Sequence, residues 1–130
     1  MQKDFDEWNK KKKKIDSKEN RVYFKEGEIW WLHLGLNIGY EANGKSEQYL
    51  RPIIILKKYN MYSFLSVSLT TSDTINKYRI SVGKILNKEA VANISQLRYL
   101  DSKRLAKKIC TMDRVLFSEI KKKASEINFH

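Results

Sequence analysis

Arg51, set before Pro52, and the hydroxyl pair Thr70-Thr71 are the residues of this chain best suited to chemistry on a phosphate. A guanidinium presents a planar fork that pairs with phosphate oxygens in bidentate fashion, and it stays protonated. Fixed at the mouth of a strand, Arg51 can stabilise charge developing on a phosphorane-like transition state. The Thr70 hydroxyl can hydrogen-bond the same phosphate or orient the attacking group. Residue type alone leaves a purely structural alternative open, with Arg51 salt-bridged to Glu41 or Asp101 and Thr70 simply closing a strand. Other chemistry is thinly represented. The two histidines, His33 and His130, and the single Cys110 show no metal-ligand spacing such as CxxC or HExxH, so neither a metal nor a cofactor is expected. His33 falls inside a strand pattern, and Cys110 lies in an apolar stretch, KICTM, where a thiol is ordinarily inert. The glycines at 35, 39 and 44 are followed by no helical pattern, so they form no dinucleotide fingerprint. They suit a loop with positive-φ turns.

Short strands must position these groups. Glu28–Leu34 (EIWWLHL) precedes a long polar loop, and Ile53–Lys58 follows directly from Arg51-Pro52. Ser63–Leu69 then leads into the threonine pair. Tyr78–Val82, Glu89–Ala92 and Ala106–Thr111 are weaker strand signals. Their β-branched and aromatic content, with turns at Tyr59-Asn60 and Gly83-Lys84, predicts a small twisted antiparallel sheet or barrel. Ser95–Leu105 is mixed and reads as a turn or two of helix. Asp113 is a suitable N-cap for a final helix in which Leu116, Ile120, Ala124 and Ile127 form one apolar stripe. Lys121–Lys123 would then lie near that helix's C-terminus, where the dipole favours cations. Residues 1–21 differ in character. Phe5, Trp8 and Ile15 share one helical face around a five-lysine run, which reads as a short basic amphipathic extension that packs on the body or on a partner, or as a disordered basic arm. The division is therefore 1–21 for the extension and 22–130 for the main domain.

A chain of 130 residues with 42% apolar content is long enough to bury one core without disulfides or metal. No apolar run reaches the roughly 18 residues a membrane helix requires, and no signal-peptide pattern opens the chain. With one cysteine, these features lead us to expect a cytoplasmic protein. The formal net charge of +11 raises the local concentration of polyanions and suits phosphate contacts, although charge alone does not separate a nucleic acid from an acidic protein.

The order of the pieces is more specific than any one of them. GEIWWLHLGLNIGYEANG, then RPIIIL, then SVSLTTS resembles the MazF/PemK family of toxin endoribonucleases of type II toxin-antitoxin systems. ISQLRYLDSKRL resembles that family's Gln-x-Arg-x-x-Asp-x-x-Arg segment, here Gln96, Arg98, Asp101 and Arg104. The resemblance covers about residues 24–127. It implies a mainly β (α+β) fold, an SH3-like small barrel of the CcdB/MazF kind with a C-terminal helix, to which this chain adds its N-terminal helical extension. It also implies a homodimer that cuts single-stranded RNA, usually mRNA, without a metal, leaving a 2′,3′-cyclic phosphate and a 5′-hydroxyl. A cognate antitoxin would be the protein partner and would carry DNA binding for the complex. By resemblance Arg51 and Thr70 are the catalytic pair, and Tyr40, Glu41, Thr71 and Gln96 are substrate-binding. Tyr40 would stack on a base or pack on its own strand. Tyr40 stands where some members carry a histidine base, and Asn93 and Ser95 stand where those members place an arginine and an aspartate. The chain thus resembles the Arg/Thr branch of the family. The alternative is a non-catalytic nucleic-acid- or protein-binding module, since the CcdB toxins share the fold yet act on DNA gyrase.

Overall fold

The computed structural model describes residues 5–16, 21–34, 50–71 and 78–129. Two helices, α1 (Phe5–Asp16) and α2 (Arg114–Phe129), flank six strands. The strands are β1 (Glu28–His33), β2 (Leu50–Lys58), β3 (Ser63–Thr70), β4 (Arg79–Ile85), β5 (Lys88–Asp101) and β6 (Leu105–Thr111). They form one antiparallel sheet in the order β4-β5-β3-β2-β1-β6, with β4 and β6 as its edges. Register shifts in four of the five ladders curl this sheet into a half-barrel. Among the described residues no helix is long and apolar enough to cross a membrane.

Alternation along the strands splits the interior into two cores. On one face Ile29, Ile54, Val67, Leu69 and Ile94 pack with Ile120 and Ala124 of α2. On the other, Phe24, Leu32, Ile53, Ile55, Phe64, Leu100 and Leu105 form a second cluster. β2 serves both, since Ile54 and Leu56 point one way and Ile53 and Ile55 the other. The expected stripe on α2 is present: Ile120 and Ala124 are buried and Leu116 and Ile127 pack beside them. The Asp113 carboxylate accepts from the Leu116 amide at 3.1 Å, as an N-cap does. Asn128 ties the last turn to the sheet by donating to the Ile94 carbonyl at 2.7 Å.

Four local expectations are corrected. Ser95–Leu105 is not a helix: residues to Asp101 complete the 14-residue β5, and only Ser102–Arg104 make a single 3₁₀ turn. Leu97, Arg98 and Leu100 favour helix locally, but pairing with Val67, Ser66 and Phe64 of β3 decides the outcome. The β4–β5 turn is not at Gly83-Lys84. It lies at Leu86-Asn87, both at positive φ (52° and 64°), while Gly83 (φ 82°) sits at a register shift inside β4. Lys121–Lys123 lie in the middle of α2, because the helix continues to Phe129. Finally, Phe5 is 49% exposed, so the apolar residues that α1 buries are Trp8 and Ile15.

The start of β1 is fastened by Glu28, which is buried and accepts from Lys108 Nζ at 2.8 Å, the Lys25 amide at 2.7 Å and Trp30 Nε1 at 3.1 Å. Burial is the largest single influence and pushes its carboxyl up. The hydrogen bonds from Lys108, the Lys25 amide and Trp30 together outweigh it and hold the carboxyl below its ordinary value. A depressed folded value means that Glu28 contributes stability above the ordinary carboxylate pKa of 4.5 and loses it as pH falls through the folded value. Glu28→Gln is expected to cost about 1–3 kcal/mol at pH 7 and to flatten the acid limb of a urea-midpoint-against-pH curve. An unchanged acid limb would show that the Lys108 pair contributes nothing.

Candidate active site

The first residues of β2, the end of β3 and the β4–β5 hairpin enclose a cavity of about 500 Å³. Leu50, Arg51 and Pro52 line it from β2, and Leu69, Thr70 and Thr71 from β3 and the residue after it. Trp31 of β1 adds an aromatic wall. Ile85, Leu86, Lys88 and Ala90 close it from the hairpin. The lining is thus mostly apolar, with a few polar groups among it (Arg51, Thr70, Thr71 and Lys88), the usual constitution of a ligand site.

Register explains how the two key residues meet. β2 and β3 pair with Ile53 opposite Ser68. The same register carried two residues towards the open end sets Arg51 level with Thr70. β2 begins earlier than expected, at Leu50, so that Arg51 and Pro52 are strand residues paired with Leu32 and Trp31 of β1. Proline has no N–H to give the neighbouring strand, and the β2–β3 ladder begins only at Ile53. Opposite Pro52, the Leu69 carbonyl instead accepts from Arg51 Nη1 at 3.2 Å. That bond orients the guanidinium along β3, beside Thr70. The Arg51 guanidinium is half-buried, and desolvation pulls its pKa down from the usual arginine value. A partly dehydrated cation on a rigid strand interacts more strongly with a developing anion than a solvated one does.

Thr70 is half-buried at the end of β3 and Thr71 is exposed just after it. Both line the same cavity as Arg51. Gln96 is elsewhere. Leu69 pairs with Ala92 but Val67 with Leu97, so β5 carries extra residues between them, and half-buried Gln96 falls in that irregularity and not on the cavity wall. Tyr40 and Glu41 lie outside the described residues. Asp101, the other acid considered as a partner for Arg51, is bonded to Arg21 Nη1 at 2.6 Å and to the Lys103 amide at 2.7 Å. Burial raises the Asp101 carboxyl, and the Arg21 and Lys103 contacts outweigh this and hold it below its ordinary range.

Cys110 and His33 do not form a nucleophile–base pair. Cys110 pairs with Ile29 at one end of β1 and His33 lies at the other, about 13 Å away along the strand at 3.3 Å per residue. Burial also pushes the thiol up, which Lys108 only partly offsets. His33 is buried, and its carbonyl accepts from Arg104 Nη1 at 3.1 Å. No group of three or more His, Cys, Asp or Glu among the described residues has the geometry to hold a metal ion.

Sequence reasoning missed Trp31, Leu86 and Lys88 as members of this cavity. Trp31 carried little signal, because nothing in EIWWLHL separates it from Trp30; only the structure leaves it half-buried while the rest of β1 is buried. Lys88 carried none. It reaches the cavity because a two-residue positive-φ turn joins Ile85 to Lys88 as a cross-strand pair.

The family model for PemK-like, MazF-like toxins of type II toxin-antitoxin systems matches residues 25–127. No curated protein matches the chain in sequence. Among solved structures, MazF from Deinococcus radiodurans superimposes with a TM-score of 0.63 at 16% identity, over 82% of this chain and 97% of that one. The MazE-MazF assembly of the same organism gives a TM-score of 0.59 at 14% identity, over 82% and 96%. An endoribonuclease in complex with its cognate antitoxin, from a mycobacterial species, gives 0.59 at 13% identity, over 80% and 93%. At these identities the likeness is one of fold.

Proposed function

The chain belongs to the family of PemK-like, MazF-like toxins of type II toxin-antitoxin systems, and from that premise we propose that it is a metal-independent endoribonuclease cutting single-stranded RNA at short sequences. The observation that carries this reading is the convergence of Arg51, Thr70 and Thr71 on one largely apolar cavity. The RNA 2′-hydroxyl attacks the adjacent phosphorus, and the bond to the 5′-oxygen of the next nucleotide breaks. The products are a 2′,3′-cyclic phosphate and a 5′-hydroxyl, and the proton leaving the 2′-oxygen is matched by one delivered to the departing 5′-oxygen. Arg51 stabilises the charge that gathers on the non-bridging oxygens. Thr70 holds the phosphate in line by a hydrogen bond, and Thr71 contacts the substrate beside it. Trp31, half-buried on the wall, offers a face on which a base can stack. Gln96, Tyr40 and Glu41 retain the substrate-binding roles that the family resemblance implies. Because solved relatives include MazF with MazE and an endoribonuclease with its cognate antitoxin, an antitoxin is the protein partner we assign, and the toxin works as a homodimer in the cytoplasm.

The test is direct. Purified protein incubated with long single-stranded RNA in excess EDTA is expected to give discrete fragments with 5′-hydroxyl ends. Intact RNA across varied sequences, with the protein folded, would overturn the reading.

A further inference from the structure

The N-terminal helix lies outside the span matched by the family model, yet it builds a second cavity. α1 docks by burying Trp8 and Ile15 against the 3₁₀ turn Ser102–Arg104. Lys103 Nζ donates to the Asp16 carbonyl at 2.8 Å and so caps the helix C-terminus. Between helix and turn lies a space of about 320 Å³, lined by Lys12, Lys13, Lys103 and Arg104 and by two acids, Asp16 and Asp101. Asp101 is already engaged by Arg21. Among the described residues neither Lys12 nor Lys13 has an ion-pair partner. The cavity therefore carries a net positive charge.

Burial lowers the pKa of Arg104 and the positive charge of Arg98 lowers it further, against the opposing pull of Asp101, so Arg104 has both a guanidinium and a carboxylate as electrostatic neighbours. Arg98 itself does not line the cavity, so its charge reaches the site only through Arg104. The cavity lies two strands away from the candidate active site, across the buried core residues Leu105 and Leu32. Leu105, next to Arg104, pairs with Leu32, and Leu32 pairs with Arg51. Residues paired in this way share a face of the sheet, which puts Arg51 about 10 Å from Leu105 across two strand spacings.

We propose that the cavity between α1 and the 3₁₀ turn is a second phosphate subsite, in which Lys12, Lys13, Lys103 and Arg104 hold a backbone phosphate of the RNA strand away from the scissile bond. This rests on the ribonuclease reading for the identity of the ligand. The extension thus adds a positively charged contact for the strand at a distance from Arg51. Its lysines contribute affinity and leave the chemical step unchanged.

The probe is a fluorescent single-stranded oligodeoxynucleotide, which lacks the attacking 2′-hydroxyl, titrated against the full chain at several salt concentrations. The double variant Lys12→Gln/Lys13→Gln is expected to bind about 3- to 10-fold more weakly, and its log–log salt slope should flatten by about 1.4, the value for two lost single-strand contacts. Lys12→Arg/Lys13→Arg should restore both. In cleavage assays the Gln variant should raise KM for a long RNA and leave kcat unchanged. Equal affinity and slope for wild type and Gln variant would overturn the proposal. So would Lys12/Lys13-dependent binding of a polyglutamate peptide in place of the oligonucleotide, which would make the cavity a site for an acidic protein. Absence of cleavage by the wild type would count against the ribonuclease reading alone, because the oligonucleotide titration reads the cavity without cleavage.

Discussion

Arg51→Ala is expected to lower the rate of RNA cleavage by about 10²–10³-fold, the loss typical when a single preorganised electrostatic donor is removed. The residue makes this effect large because three features of the fold act on it together. It sits within a strand, paired to Leu32, so its backbone cannot drift. Its guanidinium is steered by the Leu69 carbonyl. It is half-buried, which strengthens its interaction with the developing phosphorane charge. The stability cost should be small, on the order of 1 kcal/mol for one hydrogen bond lost. Single-turnover cleavage, read beside a thermal melt, separates the two effects. Arg51→Lys should recover only part of the rate, since an ammonium supplies charge without the planar fork. A variant Arg51→Ala that cuts RNA at the wild-type rate would remove Arg51 from the site and leave the cavity without its transition-state stabiliser.

The largest effect on stability is expected at Phe64. It is fully buried in β3, paired with Leu100, and its ring meets Phe24 edge-to-face with centroids 5.2 Å apart. Phe64→Ala should destabilise the protein by about 3–5 kcal/mol, from lost transfer energy and the cavity left behind. Against a total stability on the order of 5–15 kcal/mol, the melting temperature should fall by roughly 10–20 °C. The reason lies in the architecture. Phe64 belongs to the core cluster of the sheet that α2 does not share, and its strand ends in Thr70. Activity measured per folded molecule at low temperature should stay near wild type, because Phe64 does not line the site cavity. A melting temperature within a few degrees of wild type would mean that this second cluster is not a packed core.

Much of this molecule is written in local pattern. The β-branched and aromatic content of EIWWLHL and SFLSVSL, bounded by turns, specifies strands, because such side chains pack well on a pleated sheet. The four-residue recurrence of Leu116, Ile120 and Ala124 specifies a helix with one buried stripe. Asn60 marks the β2–β3 turn, where its side-chain oxygen accepts from the Tyr62 amide at 2.8 Å. The Arg-Pro pair and the threonines suit phosphate chemistry by type, and it is their order along the chain that singles them out. What the sequence by itself determined, then, was the inventory of reactive groups, the kinds of element that carry them, and the family to which their order belongs. Tertiary structure alone decided the rest. β5 outran its helical signal because pairing with β3 is a non-local contribution that propensity does not contain. Lys88 and Leu86 joined the site because a turn of left-handed residues folded them over it. Trp8 and Ile15 on one helical face required α1 to pack somewhere. Only the fold placed that helix against Lys103 and Arg104, two strands from Arg51, because where an amphipathic helix docks depends on which apolar surface the assembled sheet leaves open.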